Sequence, residues 1–165
     1  MADHESIQKL AAALVADLTE AGKAVSTAES CTGGWVAKAI TDIRGASAVF
    51  QYGIVSYSNG AKEQILGVQN PVIEKHGSVS EPVVEEMANG ALNLSGADIA
   101  VAVSGVAGPD GGSKEKPVGT VWFAWSVRDG GKVRTDTSCQ HFDGDRDLVR
   151  ELTVVHALQG VMDRL

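Results

Sequence analysis

The sequence predicts a single α/β domain over residues 1–165, built on a mixed sheet covered by helices on both sides. Three observations predict it. Short apolar or β-branched runs alternate along the chain with segments of helical period. One of these runs, Ile99 to Val103, is apolar at every position, as suits a strand buried on both faces. Finally, Val118 to Val127 and Lys132 to Phe142 flank Asp129-Gly130-Gly131, which marks a hairpin.

In chain order, Ile7, Leu10, Ala11, Leu14, Val15 and Leu18 recur at three- and four-residue spacing and describe an amphipathic first helix closed by Gly22. Ala24 to Glu29 is extended and runs into Ser30-Cys31-Thr32-Gly33-Gly34, after which a helix is expected from about Trp35 to Ile43. Val49 to Tyr57, rich in aromatic and β-branched residues, reads as a strand that Asn59-Gly60 ends. A short helix is expected over Ala61 to Leu66. Ser80-Glu81-Pro82 opens another, with proline tolerated in its first turn and Val83, Val84, Met87, Ala88, Ala91 and Leu92 as its apolar face. The last helix spans about Arg146 to Leu165, started by Asp143 or Asp145.

Composition narrows the function. With 44% hydrophobic residues among 165, the chain can fill one core, burying roughly two thirds of its unfolded surface. Its 21 acidic and 14 basic residues give a net charge of −7, which repels phosphate backbones and argues against nucleic-acid binding. A small anion is still accessible to a local cation or a helix N-terminus. Cys31 and Cys139 make no disulfide framework. The segment Met1-Ala2-Asp3-His4-Glu5 lacks the basic and apolar regions of a signal peptide. No apolar run approaches the ~20 residues of a membrane-spanning helix, so a cytoplasmic location is expected. His4, His76, His141 and His156 are scattered with no cysteine at ligand spacing, and no metal site is expected. Asp143, Asp145 and Asp147 nevertheless form an oxygen-rich cluster of the kind that holds Mg²⁺ or Ca²⁺.

Four segments could carry chemistry. The turn Thr27 to Gly34 lies at the carboxyl end of a strand, where open α/β sheets bind ligands. Its two glycines let backbone N–H groups converge on an anion or oxyanion, and Ser30 and Cys31 are both candidate nucleophiles. The plain alternative is a turn whose Ser and Thr cap a helix. In the second segment, Val55 to Lys62, Lys62 could serve as a base if burial and a helix N-terminus lower its pKa, with Tyr57 relaying the proton or orienting it. The alternative is a solvated surface lysine. The third, Ser104 to Ser113, can bring backbone close to a phosphate or ribose, although it matches neither the P-loop nor the dinucleotide fingerprint. In the fourth, Arg146 at a helix start among three aspartates could bind phosphate, or simply join a surface ion-pair network.

Together these segments are more specific than any one. From about Leu10 to Leu158 the chain resembles the nicotinamide-nucleotide amidase and CinA C-terminal family. The motifs that carry the resemblance are Thr-Ala-Glu-Ser-Cys-Thr-Gly-Gly-Trp at 27–35, Tyr-Ser-Asn-Gly-Ala-Lys at 57–62 and Gly-Ser-Val-Ser-Glu-Pro-Val at 77–83. Ser-Gly-Val-Ala-Gly-Pro-Asp-Gly-Gly-Ser at 104–113 and Lys-Pro-Val-Gly-Thr-Val-Trp at 116–122 complete them. The resemblance implies a three-layer α/β/α sandwich with a mixed, mostly parallel sheet, in the form that stands alone rather than behind the larger N-terminal domain of CinA proteins. It implies hydrolysis of the carboxamide of nicotinamide mononucleotide to the nicotinic acid nucleotide and ammonia, without metal or cofactor. Ser30 would be the nucleophile, Lys62 the base and Tyr57 an assistant. Thr32, Gly33, Gly34, Ser104, Gly105, Gly108 and Arg146 would bind the substrate. The expected partners are that small nucleotide and further copies of the same chain, forming a homo-oligomer, with neither nucleic acid nor membrane among them. Two readings compete: a non-catalytic nucleotide-binding module on the same fold, and a hydrolase that depends on Cys31.

Overall fold

A computed structural model describes residues 3–165, so Met1 and Ala2 of the expected leaderless start lie outside the described residues. Among the described residues six α-helices and five strands follow one another as α1 (His4–Ala21), β1 (Val25–Glu29), α2 (Trp35–Thr41), β2 (Phe50–Val55), α3 (Asn59–Leu66), α4 (Asn70–His76), α5 (Glu81–Ser95), β3 (Ile99–Gly105), β4 (Thr120–Asp129), β5 (Lys132–His141) and α6 (Arg146–Met162), with a single 3-10 turn at Ala46–Ala48 before β2. The sheet order is β2-β1-β3-β4-β5. β1 pairs in parallel with both β2 and β3, while β4 is antiparallel to β3 and to β5. Four strands therefore run one way and only β4 runs against them, the mixed and mostly parallel sheet expected.

Side-chain alternation builds the three layers. Ile99, Val101 and Val103 of β3 pack with Val121, Phe123, Trp125 and Val127 of β4 against α1, α2 and α6. The opposite face presents Ala28, Ala100, Ala102 and Ala124, small residues on which α5 lies with α3 and α4 beside it. β3 is buried from Ile99 to Ser104, as its apolar run requires.

Helix ends follow the capping chemistry of the sequence. Gly22 takes φ 65° and ends α1. Asp145, one of the two aspartates expected there, caps α6 by accepting from the Leu148 N–H. Two details differ from the sequence reading. Asn59-Gly60, expected only to end the preceding strand, already form the first turn of α3, because the Ser58 hydroxyl accepts from the Ala61 N–H and starts the helix two residues before Ala61. α4 has no counterpart in the sequence reading; Pro71 occupies its first helical turn, which needs no N–H from it.

The topology fixes where a site can form. From β1 the chain crosses through α2 on one face to β2, then returns through α3, α4 and α5 on the other face to β3. One crossover leaves β1 and the next leaves its neighbour β2, on opposite faces of the sheet, so a crevice opens at the carboxyl ends of these two strands, the switch point of an open α/β sheet. Among the described residues, no helix is long and apolar enough to cross a membrane.

Candidate active site

Ser30 follows directly on β1 at that switch point, and its N–H bonds the Val103 carbonyl of β3. Tyr57 follows β2, Ser104 and Gly105 end β3, and Arg146 begins α6. Ser30, Cys31, Tyr57, Ser78, Ser104, Gly105 and Arg146 line one cavity of about 180 Å³ together with Val79 and Ala107.

Lys62 comes to Ser30 from α3 across the crevice. Its Nζ is 2.9 Å from Ser30 Oγ, 2.7 Å from the Ser56 carbonyl and 3.1 Å from the Tyr57 carbonyl. Nζ donates to all three, and the Ser30 hydroxyl in turn faces the Tyr57 carbonyl at 3.5 Å. Once Lys62 has lost its proton, two N–H groups suffice for the carbonyls and the lone pair is left for the Ser30 hydroxyl proton. The side chain is 1% exposed. Burial lowers its pKa to about 8, against a small opposing pull from Cys31. No carboxylate pairs with it among the described residues. Lys62 is thus not the solvated surface lysine that its sequence also allowed.

Tyr57 orients Lys62 through its backbone carbonyl, not its ring. The phenol is exposed and lies 3.4 Å from an Arg146 nitrogen. Arg146 also donates to the Gly108 carbonyl at 2.8 Å. It forms none of the ion pairs with Asp143 or Asp145 that a surface network would require. Among the described residues, no group of three or more His, Cys, Asp and Glu side chains converges to hold a metal ion, and Asp143, Asp145 and Asp147 do not form one.

Cys31 lines the same cavity, but burial and the neighbouring Glu29 carboxylate push its thiol up to about 12. At neutral pH it carries a proton and is a weak nucleophile. The backbone donors of the turn are divided. The Gly33 N–H is engaged by the Ser30 carbonyl, and the Trp35 N–H by the Thr32 carbonyl. The N–H groups of Cys31 and Thr32 have no acceptor among the described residues. Ser104 donates its hydroxyl to the Ser78 carbonyl and so ties β3 to the segment before α5. Thr32, Gly33 and Gly34, expected to bind substrate, line a neighbouring cavity on the far side of the turn.

Two residues that hold this turn escaped the sequence reading. Glu29 is 1% exposed. It accepts from the Thr32 hydroxyl, the Val36 N–H at 2.8 Å and the Ala37 N–H at 3.0 Å. It thereby supplies the cap that Gly34, at the α2 N-cap, has no side chain to give. Burial raises its pKa while those donors pull it back. A legible signal existed: a helix that starts on Gly-Gly needs an acceptor from elsewhere, and Glu29 is the nearest acid. Arg150 of α6 donates to the Cys31 and Thr32 carbonyls at 3.1 Å each, from 119 and 118 residues away. No local pattern announces it.

Comparison with known proteins places the chain in a family. Residues 7–165 match the CinA C-terminal domain family. A nicotinamide-nucleotide amidohydrolase PncC of Escherichia coli K12 is 59% identical over 138 residues, covering 84% of this chain and 82% of that protein. One from Pseudomonas putida is 51% identical over 158 residues, covering 96% of each. A crystal structure of a competence-damaged protein (CinA) superfamily protein from Escherichia coli superposes with a TM-score of 0.91 at 38% identity, covering all of this chain and 94% of that one. The switch-point crevice, the serine turn and these matches together mean that the chain belongs to the CinA C-terminal domain family.

Proposed function

We propose that this protein hydrolyses the carboxamide of nicotinamide mononucleotide, with Ser30 as nucleophile and Lys62 as base. The observation that carries the reading is the 2.9 Å contact between Lys62 Nζ and Ser30 Oγ. Nucleophile and base stand within hydrogen-bond reach, and burial brings the base's pKa down to about 8, so that a fraction of it is neutral near physiological pH. The amidohydrolase names of relatives at 59% and 51% identity supply the substrate.

The chemistry follows from the groups present. Neutral Lys62 takes the Ser30 proton as Oγ attacks the carboxamide carbon, and the C–O bond forms as the carbonyl electrons move onto oxygen. The Cys31 N–H, next along the chain from the nucleophile, and the Thr32 N–H are the free donors for that oxyanion, each worth about 3 kcal/mol when well aimed. The Lys62 ammonium returns its proton to the nitrogen, the C–N bond breaks and ammonia leaves. Water, deprotonated by Lys62, then attacks the acyl ester and releases the nicotinic acid nucleotide and free Ser30. Arg146, between the Tyr57 phenol and the Gly108 carbonyl, is the cation for the substrate phosphate. Ser104 and Gly105, which line the same cavity, are the residues left to contact the rest of the substrate.

The test is ammonia release from nicotinamide mononucleotide by the purified protein, with Ser30→Ala as control. Release that needs Ser30 supports the reading. A folded protein that binds the nucleotide and releases no ammonia would make it a binding module instead.

A further inference from the structure

The far side of the nucleophile turn carries its own cavity, and we infer that it is a second nucleotide site, one that takes a nucleoside monophosphate and acts on Ser30 through Arg150. The inference rests on the amidohydrolase reading only for its effect on rate. Four observations carry it. The cavity, lined by His4, Gly33, Gly34, Trp35, Lys38 and Arg150 with Thr32, has a volume of about 440 Å³, within the ~300–1,000 Å³ of small-molecule sites. Inorganic phosphate would leave most of it empty, so the ligand has bulk beyond a phosphate.

Its charge is the reverse of the protein's. The lining holds Lys38 and Arg150, with His4, and no carboxylate, in a chain of net charge −7. By contrast, the cavity beyond Arg146 is lined by Asp145 and Asp147. Lys38 does pair with Asp42 at 2.6 Å, but both are on the surface, where such a pair is weak and a phosphate can compete. Trp35 adds an aromatic wall that is only partly buried, suited to a planar ring.

Arg150 joins this cavity to the chemistry. Its guanidinium lies 5.5 Å from the Trp35 ring centre, and its Nε and one terminal nitrogen hold the Cys31 and Thr32 carbonyls. The other terminal nitrogen has no partner among the described residues and remains available to a phosphate. A ligand that pulls on this guanidinium pulls on the two residues that follow Ser30. The expected effect is on kcat, with KM unchanged.

The experiment uses AMP as probe and tryptophan fluorescence as readout. Ser30→Ala keeps binding separate from turnover, and Trp35→Phe identifies the signal among the three tryptophans. AMP should quench saturably in Ser30→Ala and not in Trp35→Phe/Ser30→Ala, and equal millimolar inorganic phosphate should not reproduce the quench. Lys38→Glu should weaken AMP about tenfold, ~1.4 kcal/mol, and leave kcat/KM for the mononucleotide unchanged. Absence of a saturable quench, or an equal quench by phosphate, overturns a nucleotide site. A Lys38→Glu loss shared equally by AMP binding and amidase kcat/KM overturns its separateness, making this cavity the substrate's own phosphate pocket. The binding arm needs no turnover, so it stands or falls apart from the amidase assay.

Discussion

Arg146 and Arg150 stand one turn apart on α6, and each donates to a different wall around Ser30. Arg146 bonds the Gly108 carbonyl and meets the Tyr57 phenol; Arg150 bonds the Cys31 and Thr32 carbonyls. One helix face thus reaches the loops after β1, β2 and β3 together. The two arginines differ in what they leave free, and that difference is measurable.

Arg146 lines the catalytic cavity without a carboxylate partner. Arg146→Ala should weaken the mononucleotide by ~1.5–3 kcal/mol, the range for hydrogen bonds to charged groups, and leave the nucleoside nearly unaffected. Comparing kcat/KM on both compounds checks it. Equal losses would remove Arg146 from phosphate binding and point to the Gly105 to Ser113 loop.

Ser30→Ala should abolish ammonia release while the fold and nucleotide binding persist. Cys31→Ala should cost far less, because the thiol, held at about 12, is protonated at any working pH. A dead Cys31 variant beside an active Ser30 variant would reverse the assignment of the nucleophile.

The base sets the pH profile. Lys62 must be neutral to accept a proton, and burial lowers its pKa to about 8. Acid therefore removes the base: kcat/KM should rise about tenfold per pH unit below about 8 and level off above it. Lys62→Arg should be nearly as inactive as Lys62→Met, since arginine stays charged throughout. Wild-type turnover in Lys62→Arg, or a flat profile between pH 6 and 8, would leave Lys62 an electrostatic role only.

Glu29→Ala strips three donors of their acceptor inside the fold. A loss of about 3 kcal/mol or more is expected, with Tm falling by about 2–4 °C for each kcal/mol. Because the turn it braces contains Ser30, kcat should fall as well. An unchanged Tm and kcat would mean that the turn is held by Arg150 alone.

Gly160→Ala provides the contrast. A Cβ there would enter the Trp125 ring, whose indole N–H donates to the Ala157 carbonyl. Overpacking should cost ~1–3 kcal/mol. Gly160 lies 14 residues along α6 from Arg146, or about 21 Å by helical rise, so kcat at a temperature where the variant is folded should be unchanged. A lowered kcat there would show that α6 transmits strain to the site.

The sequence revealed what local chemistry determines. Caps at Gly22 and Asp145, the apolar β3 run and the hairpin at Gly130-Gly131 each follow from a few neighbouring residues, and the layers follow from them. Ser30 and Lys62 were legible as residue types in suitable motifs, although the contact joining them spans 32 positions. Arg150 was invisible because its partners lie more than a hundred residues away and its own surroundings are those of an ordinary amphipathic helix. α4 was hidden by a different cause: Asn-Pro serves turns and helix starts equally well, and the packing of Ile73 against the α5 layer decides between them.

β4 is the one strand that runs against the others, and this has a practical use. Its Thr120 end meets His141 beside the catalytic loops, so its Asp129 end, with Gly130 and Gly131, projects from the opposite pole of the sheet. A peptide inserted between those glycines would extend away from the crevice, at an exposed tip where such insertions are best tolerated. That tip is therefore the natural tether for fixing this protein to a solid support with its mouth facing the solvent.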